Sequence, residues 1–327
     1  VIAGSLIAIV ALALISLAVG VSNIPLSTVI DSFTDFDPTQ FDHVAIRDSR
    51  APRTLLAIVV GAGLSVAGAL SQTLTRNPLG SPDILGVNSG AAFAVVLALF
   101  VGGVSNRWTL SVVAMLGALV VSISVAALAF AARGRLTPVR LVLSGIIITA
   151  LVDACSSFIL VSGERVLLYS RSWLVGSLAG RSMSTAVVCL IGVLPCLLMS
   201  VAMARQLNLL VLGDDVAAAL GVRTHALRSR CMVLTVLLCG ICVAAAGPIG
   251  FVALGVPHLV RRMSGGDFRW FLPLCMVVGA TLLLAADVVG RIVVRPAELE
   301  VGVVTAIVGA PLLLALARRL SLGSSSS

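Results

Sequence analysis

Apolar stretches of about 17 to 25 residues recur along the whole chain, separated by short segments rich in Gly, Pro and Arg. Each is long enough to cross a bilayer, because roughly 20 residues at about 1.5 Å per residue cover a hydrocarbon core of about 30 Å. The pattern predicts about ten spans, near residues 2–20, 54–75, 84–104, 108–132, 138–162, 185–204, 230–246, 247–263, 271–290 and 302–318. The seventh and eighth are divided only by Gly247 and Pro248 inside one long apolar run. With so many spans behind it, the first reads as a true helix and not as a cleaved signal sequence. The expectation is an all-α integral membrane protein with a single transmembrane domain over residues 1–327.

One segment breaks the pattern. "LNLLVLGDDVAAALGVRTHALRSR", residues 207–230, is helix-sized, capped and polar, and it lies between two hydrophobic runs. Asp214 is a good N-cap, Asp215 places negative charge where the helix dipole favours it, and Gly221 suits a left-handed stop after Leu220. A helix of about two turns is marginal alone in water and needs packing to persist. Its apolar face, Val216, Ala219 and Leu220, suits either a groove on another protein or the chain's own bundle.

Composition sharpens this picture. Hydrophobic residues make up 59% and charged residues 11%, against about a quarter charged in soluble domains. All 22 basic residues are Arg and are scattered over short loops, which argues against a nucleic-acid partner. The seven Cys lie almost entirely in apolar runs, so no disulfide framework or metal site is indicated, and the Cys239/Cys242 pair sits inside a span. If residues 207–230 face the cytoplasm, thirteen Arg fall on that side and nine outside, a weak positive-inside bias. Several of the nine cluster beside spans: Arg47, Arg50 and Arg53 in "IRDSRAPRTLL", and Arg291 and Arg295 in "GRIVVRPAELEVG". Such cations anchor spans at lipid headgroups or meet acidic groups on a partner.

Several stretches together, "RAPRTLLAIVVGAGLSVAGALSQTLTRNPLGSPDILGVNSGA", "WLVGSLAG", "LNLLVLGDDVAAALGVRTHALR", "GPIGFVALGVPHLVRRM" and "ELEVGVVTAIVGAPLLLAL", resemble the permease subunits of ABC importers for ferric siderophores, haem and cobalamin. The resemblance covers nearly the whole chain. It implies the type II importer permease fold in a bacterial cytoplasmic membrane, with a second permease subunit, identical or paralogous, enclosing a path for a metal chelate, foremost a ferric siderophore. It further implies two ATPase subunits inside and a substrate-binding protein outside. No G-x-x-x-x-G-K-[ST] loop occurs, so ATP and Mg are expected on the partner ATPase, with no cofactor or metal on this chain and no enzymatic activity of its own.

The resemblance also assigns roles. Residues Leu212, Gly213, Asp214, Asp215, Ala218, Leu220, Gly221 and Arg228 fall in the ATPase-coupling region. Arg50, Arg53 and Arg291, with Arg47 beside them, match positions that engage acidic residues of the binding protein. Asn77 and Leu79 fall at the cytoplasmic gate, with Thr137 and Pro138 as companions, and His258 with Arg261 and Arg262 lines the ATPase-facing surface. Asp153 departs from the family's usual small or apolar residues. An acid in a span is costly in hydrocarbon and is expected to face the path, a neighbour or the subunit mate. A proton- or sodium-coupled carrier would use such an acid for coupling, although it would need no docking helix outside its bundle. An intramembrane enzyme would want convergent nucleophile and base groups, and of the three His only His258 lies near a span.

Overall fold

The structure, a computed structural model, describes residues 2–20, 22–102, 106–131 and 138–311. Its regular elements are helical: α1 Ile2–Ala18, α2 Leu26–Thr34, α3 Phe41–Ala45, α4 Ala51–Thr75, α5 Val87–Gly102, α6 Arg107–Ala131, α7 Pro138–Ser162, α8 Glu164–Leu174, α9 Met183–Ala202, α10 Ala204–Val211, α11 Asp214–Ala219, α12 Thr224–Ala246, α13 Val252–Ser264 and α14 Phe268–Val293. A final helix, α15, covers Val301–Pro311.

Among the described residues six helices, α6, α7, α9, α12, α14 and the continuous run Phe41–Thr75 that ends in α4, are long and apolar enough to cross a membrane. Ile7–Ala18, α5 and α15 are shorter apolar helices. The expected span at 247–263 is different. Gly247 takes φ 78° and Phe251 φ 70°, so the chain turns before α13, whose 13 residues reach only about 20 Å of the ~30 Å core. The sequence marks this turn only by Gly247 and Pro248, and α13 is itself less apolar than α12 and α14, with His258, Arg261 and Arg262 in its second half.

Helix α4 is the centre of the bundle. It is packed by α14, α12, α13 and α9, and nearly every residue from Pro52 to Thr75 is buried. Small residues permit this approach, as expected where membrane helices gain stability from close van der Waals packing. Gly61 lies against the Gly279 backbone of α14, and Gly68 lies so close to Ala253 that a Cβ there would overlap its carbonyl oxygen. Buried hydroxyls turn to carbonyls: Ser65 Oγ donates to Cys275 O at 2.7 Å, and Thr73 and Thr75 donate within their own helix.

Hydrogen bonds sort the connections into two ends. At one end Arg76 meets Asp214 and Asn208 meets Asp267. At the other, Arg291 bonds Ser16 and Val19, Arg53 meets Glu298, and Ser177 N donates to Ala246 O. These ends agree with the loop sides expected from alternating spans.

Gly68→Val should therefore separate α4 from α13. Overpacking typically costs about 1–3 kcal/mol, and here the obstacle is backbone. Thermal stability in detergent should drop and the monodisperse fraction should fall severalfold, whereas Gly4→Ala, whose added Cβ meets nothing within 4 Å, should leave both unchanged. Equal stability of the two variants would contradict the packing.

Candidate functional site

The segment at the Asp214 end is built in three pieces. Leu207 and Leu210 bury one face of α10, and Asn208 fixes it to α14 by donating to Asp267 Oδ1 at 2.7 Å and accepting from Phe268 N at 2.9 Å. The chain then reverses at Gly213, whose φ of 119° and ψ of 153° are open essentially to glycine alone. Helix α11 follows, only six residues long, and closes at Gly221 with φ 83°. Thr224–Arg230, expected to belong to the interruption, already forms the first turns of α12.

Asp214 does not cap this helix. Gly213, which has no side chain, is the N-cap, and Asp214 is the first residue of the helix. The Asp214 carboxylate instead receives Arg228 Nη2 at 2.9 and 3.2 Å and Arg76 Nη2 at 2.9 Å, while Arg228 Nη1 also donates to Leu74 O at 3.2 Å. A buried guanidinium thus joins the end of α4, the start of α12 and α11. Burial acts to raise the Asp214 pKa, but the Arg228 hydrogen bonds and charge, followed by Arg76, outweigh it and hold the pKa below its usual value. A depressed carboxylate pKa contributes stability above the ordinary carboxylate range, lost as pH falls through the folded value. The clamp is therefore intact at neutral pH.

This clamp holds an apolar surface outward. Ala217 alone of α11 is buried, while Val211, Leu212, Val216 and Leu220 are 58%, 62%, 46% and 58% exposed. Asp215, Ala218 and Ala219 are exposed with them.

Beside the clamp, "RNPLGSPDILG" forms a fixed turn. Arg76 ends α4 with φ 50°, Asn77 Oδ1 accepts from Leu79 N at 2.9 Å, and Gly80 N returns to Asn77 O. Leu79 is 42% exposed. Pro138 opens α7, which packs on the following 3-10 turn, Pro82–Leu85; Thr137 lies outside the described residues. Asp153 is on the exposed side of α7, with no hydrogen bond or ion pair among the described residues.

The chain as a whole matches the FecCD transport family model over residues 7–319. It belongs to that family. The ferric enterobactin transport system permease protein FepD of Escherichia coli (strain K12) is 40% identical over 98% of this chain and 95% of its own length. The probable siderophore transport system permease protein YfiZ of Bacillus subtilis (strain 168) is 40% identical over 89% of this chain and 87% of its own. Among solved structures, an inward-facing putative metal-chelate type ABC transporter superposes with a TM-score of 0.85 at 32% identity, covering 97% of this chain and 98% of that one. The chain is accordingly a FecCD permease subunit, a multi-pass protein of the bacterial inner membrane.

The arginines at the permease's other end are not free. Arg50, Arg53 and Arg291 are 8%, 7% and 2% exposed, which corrects the expectation of an open basic surface there. Arg53 Nε meets Asp287 Oδ1 at 2.8 Å and Nη1 meets Glu298 Oε2 at 2.5 Å. Arg291 pairs with the other Asp287 oxygen at 2.8 Å and donates to Ser16 O, Ser16 Oγ and Val19 O. Arg50 donates to Leu17 O, Ala18 O and Ser22 O. In this arrangement the guanidinium groups satisfy carbonyls where α1 ends and tie α1, α4 and α14 together. Arg47 is half-buried with its guanidinium 4.3 Å over the Phe36 ring, and Arg295, bonded to Asn23, is exposed.

Sequence reasoning missed Arg76, Asn208, Ser16 and Glu298 as partners. Arg76, Asn208 and Glu298 lay in stretches already singled out, and Ser16 lay inside the first predicted span.

Arg228→Leu should free Asp214 and leave the Leu74 carbonyl without its donor. A charged hydrogen bond contributes about 1.5–3 kcal/mol, so amide hydrogen exchange of residues 212–222 should accelerate by about tenfold or more. Exchange no faster than in the wild type would contradict the clamp.

Proposed function

We propose that this permease is the transmembrane subunit of an ATP-driven importer for a metal chelate, foremost a ferric siderophore. It acts as a pair of permease subunits with two ATPase subunits inside and a substrate-binding protein outside. The ATPase supplies the energy, and this chain supplies path and gates without catalysis of its own.

The observation that carries the reading is the outward-facing apolar surface of α11 with Leu212. An exposed apolar face on a helix of six residues has no reason to be held in place unless a partner covers it. Here Arg228 and Asp214 tether it to α4 through a partly exposed ion pair, so α11 can shift against α4 when a partner pushes on it. Gly213, Asp214 and Gly221 shape the surface; Leu212, Ala218 and Leu220 fill the partner's groove, with Asp215 at its rim.

Asp153 supports a paired assembly. An acid exposed on a spanning helix is expensive against lipid, so this side of α7 lines the hydrated path or meets the second subunit. Asn77 and Leu79, with Pro138 and Thr137, form the cytoplasmic gate. The binding protein docks at the opposite end, where the buried Arg50, Arg53 and Arg291 organise the surface and Arg47 and Arg295 meet its carboxylates. Exposed pairs of this kind contribute about 0–1 kcal/mol each and weaken with salt.

The relatives' names favour this cargo: ferric enterobactin for the Escherichia coli protein, hemin for the Hemin transport system permease protein HmuU of Yersinia pestis, 40% identical over 80% of this chain and 79% of its own. Haem and cobalamin are the alternative cargoes within the same reading.

Two variants and one inhibitor test it. In proteoliposomes holding the full complex with ATP inside, an uncoupler should leave chelate uptake nearly unchanged and Asp153→Asn should slow it modestly. Ala218→Glu should release the ATPase during purification while the permease stays monodisperse. Uptake abolished by the uncoupler would replace this reading with an ion-coupled carrier; normal ATPase copurification with Ala218→Glu would remove the coupling assignment.

A further inference from the structure

The Arg291 end holds a second group of cations outside the α1–α4–α14 network. A cavity of about 440 Å³ is lined there by Arg107, Tyr169, Trp173, Ser177, Arg181 and Glu300, among others. Its size falls within the roughly 300–1,000 Å³ typical of small-molecule sites. The lining comes from the start of α6, the end of α8, the loop 175–182 and the residue before α15. Backbone bonds fix these pieces: Ser177 N donates to Ala246 O and Gly302 N to Gly176 O.

The polar groups are left open in a way that the neighbouring network is not. Arg107 spends one guanidinium nitrogen on the Gly180 carbonyl. Arg181 is half-buried and makes no hydrogen bond or ion pair among the described residues. Burial, then the charge of Arg107, push its pKa down to about 10, so it remains a cation at neutral pH. Trp173 is 7% exposed and its indole N–H meets no acceptor among the described residues. Glu300 shares the cavity but forms no ion pair with either arginine among the described residues. Cations thus outnumber the acid two to one. Two guanidinium groups that share the cavity against their mutual repulsion, beside the buried indole N–H, form a surface complementary to an anion.

We infer that this cavity is an anion subsite for the incoming chelate, taking a negatively charged oxygen-donor arm, and that it favours chelates of net negative charge over uncharged ones. This rests on the reading of the chain as a chelate permease. The cavity lies at the end where the cargo is handed over. Arg181 and Arg107 grip carboxylate or phenolate oxygens in the fork geometry that guanidinium provides, and the exposed ring of Tyr169 lies beside an aromatic arm. A phospholipid headgroup offers the same anionic chemistry, so the test separates the two sources.

The assembled complex in nanodiscs, without binding protein, is titrated with radiolabelled ferric tris-catecholate, which carries three negative charges, and with an uncharged ferric tris-hydroxamate. The wild type should bind the trianion more tightly, and less so as salt rises. The Arg107→Gln/Arg181→Gln double variant should lose about tenfold in trianion affinity while hydroxamate binding stays within about twofold. Arg181→Gln alone breaks no hydrogen bond or ion pair among the described residues and should show severalfold of the same loss, which keeps the test valid if the double variant fails to assemble. Trianion affinity unchanged in both variants would overturn the site. So would loss of about one copurifying phospholipid per permease with chelate binding intact, which would assign the site to a headgroup. ATP-driven uptake by the wild type, with its binding protein, is the control for the reading beneath it: uptake of neither chelate, nor of haem or cobalamin, would overturn the function and the site together, whereas uptake with indifferent trianion affinity would overturn the site alone.

Discussion

A helix packed on nearly every side must satisfy every polar group it carries within the protein, and α4 imposes that constraint on the rest of the permease. Its middle meets it with small residues and hydroxyls turned to carbonyls. Its C-terminal end cannot, because the last turn of a helix leaves carbonyls unpaired, and Arg228 donates to the Leu74 carbonyl there. At the other end the backbone continues from the helical run that begins at Phe41, and the Arg53 side chain ties the helix to Asp287 and Glu298.

The two clusters differ in burial, and their physical consequences differ too. Asp287 is 1% exposed and sits between two arginines, so removing any one partner strands charge in a dry environment. Such a break typically costs about 3–5 kcal/mol. At the other end Asp214 keeps a side chain 44% exposed, and water screens what the ion pairs contribute. A rigid attachment at the deep end and a softer one at the α11 end suit a part that must yield to a partner without unravelling.

Much of this was legible in the sequence, and the failures share a cause. Hydropathy located the spans because length and apolarity are properties of the local chain. The reversal at Gly221 was readable for the same reason, since the left-handed conformation favours glycine wherever it occurs. Asp214 was misassigned because its residue type fits a cap, whereas its partners Arg76 and Arg228 lie in other helices. Arg50, Arg53 and Arg291 were expected at the surface because arginine beside a span usually is. Their burial depends on the end of α1 and on Asp287 and Glu298, and the contact from Arg53 to Glu298 crosses 245 residues, which no local pattern encodes. The region 247–263 failed in the opposite direction: hydropathy carried a span through Gly247 and Pro248, where a turn with two positive φ angles begins, and into a short helix that carries His258, Arg261 and Arg262.

In this account α4 is the fixed element against which α11 and the path helices move. Hydrogen exchange on the assembled complex, with and without ATP trapped by vanadate, measures that directly. Peptides from residues 51–75 should exchange more slowly than those of any other spanning helix and should not respond to the trapped nucleotide, while residues 138–174 and 204–222 respond. Exchange of 51–75 as fast as that of α7, or a change there on trapping as large as in α11, would contradict the account.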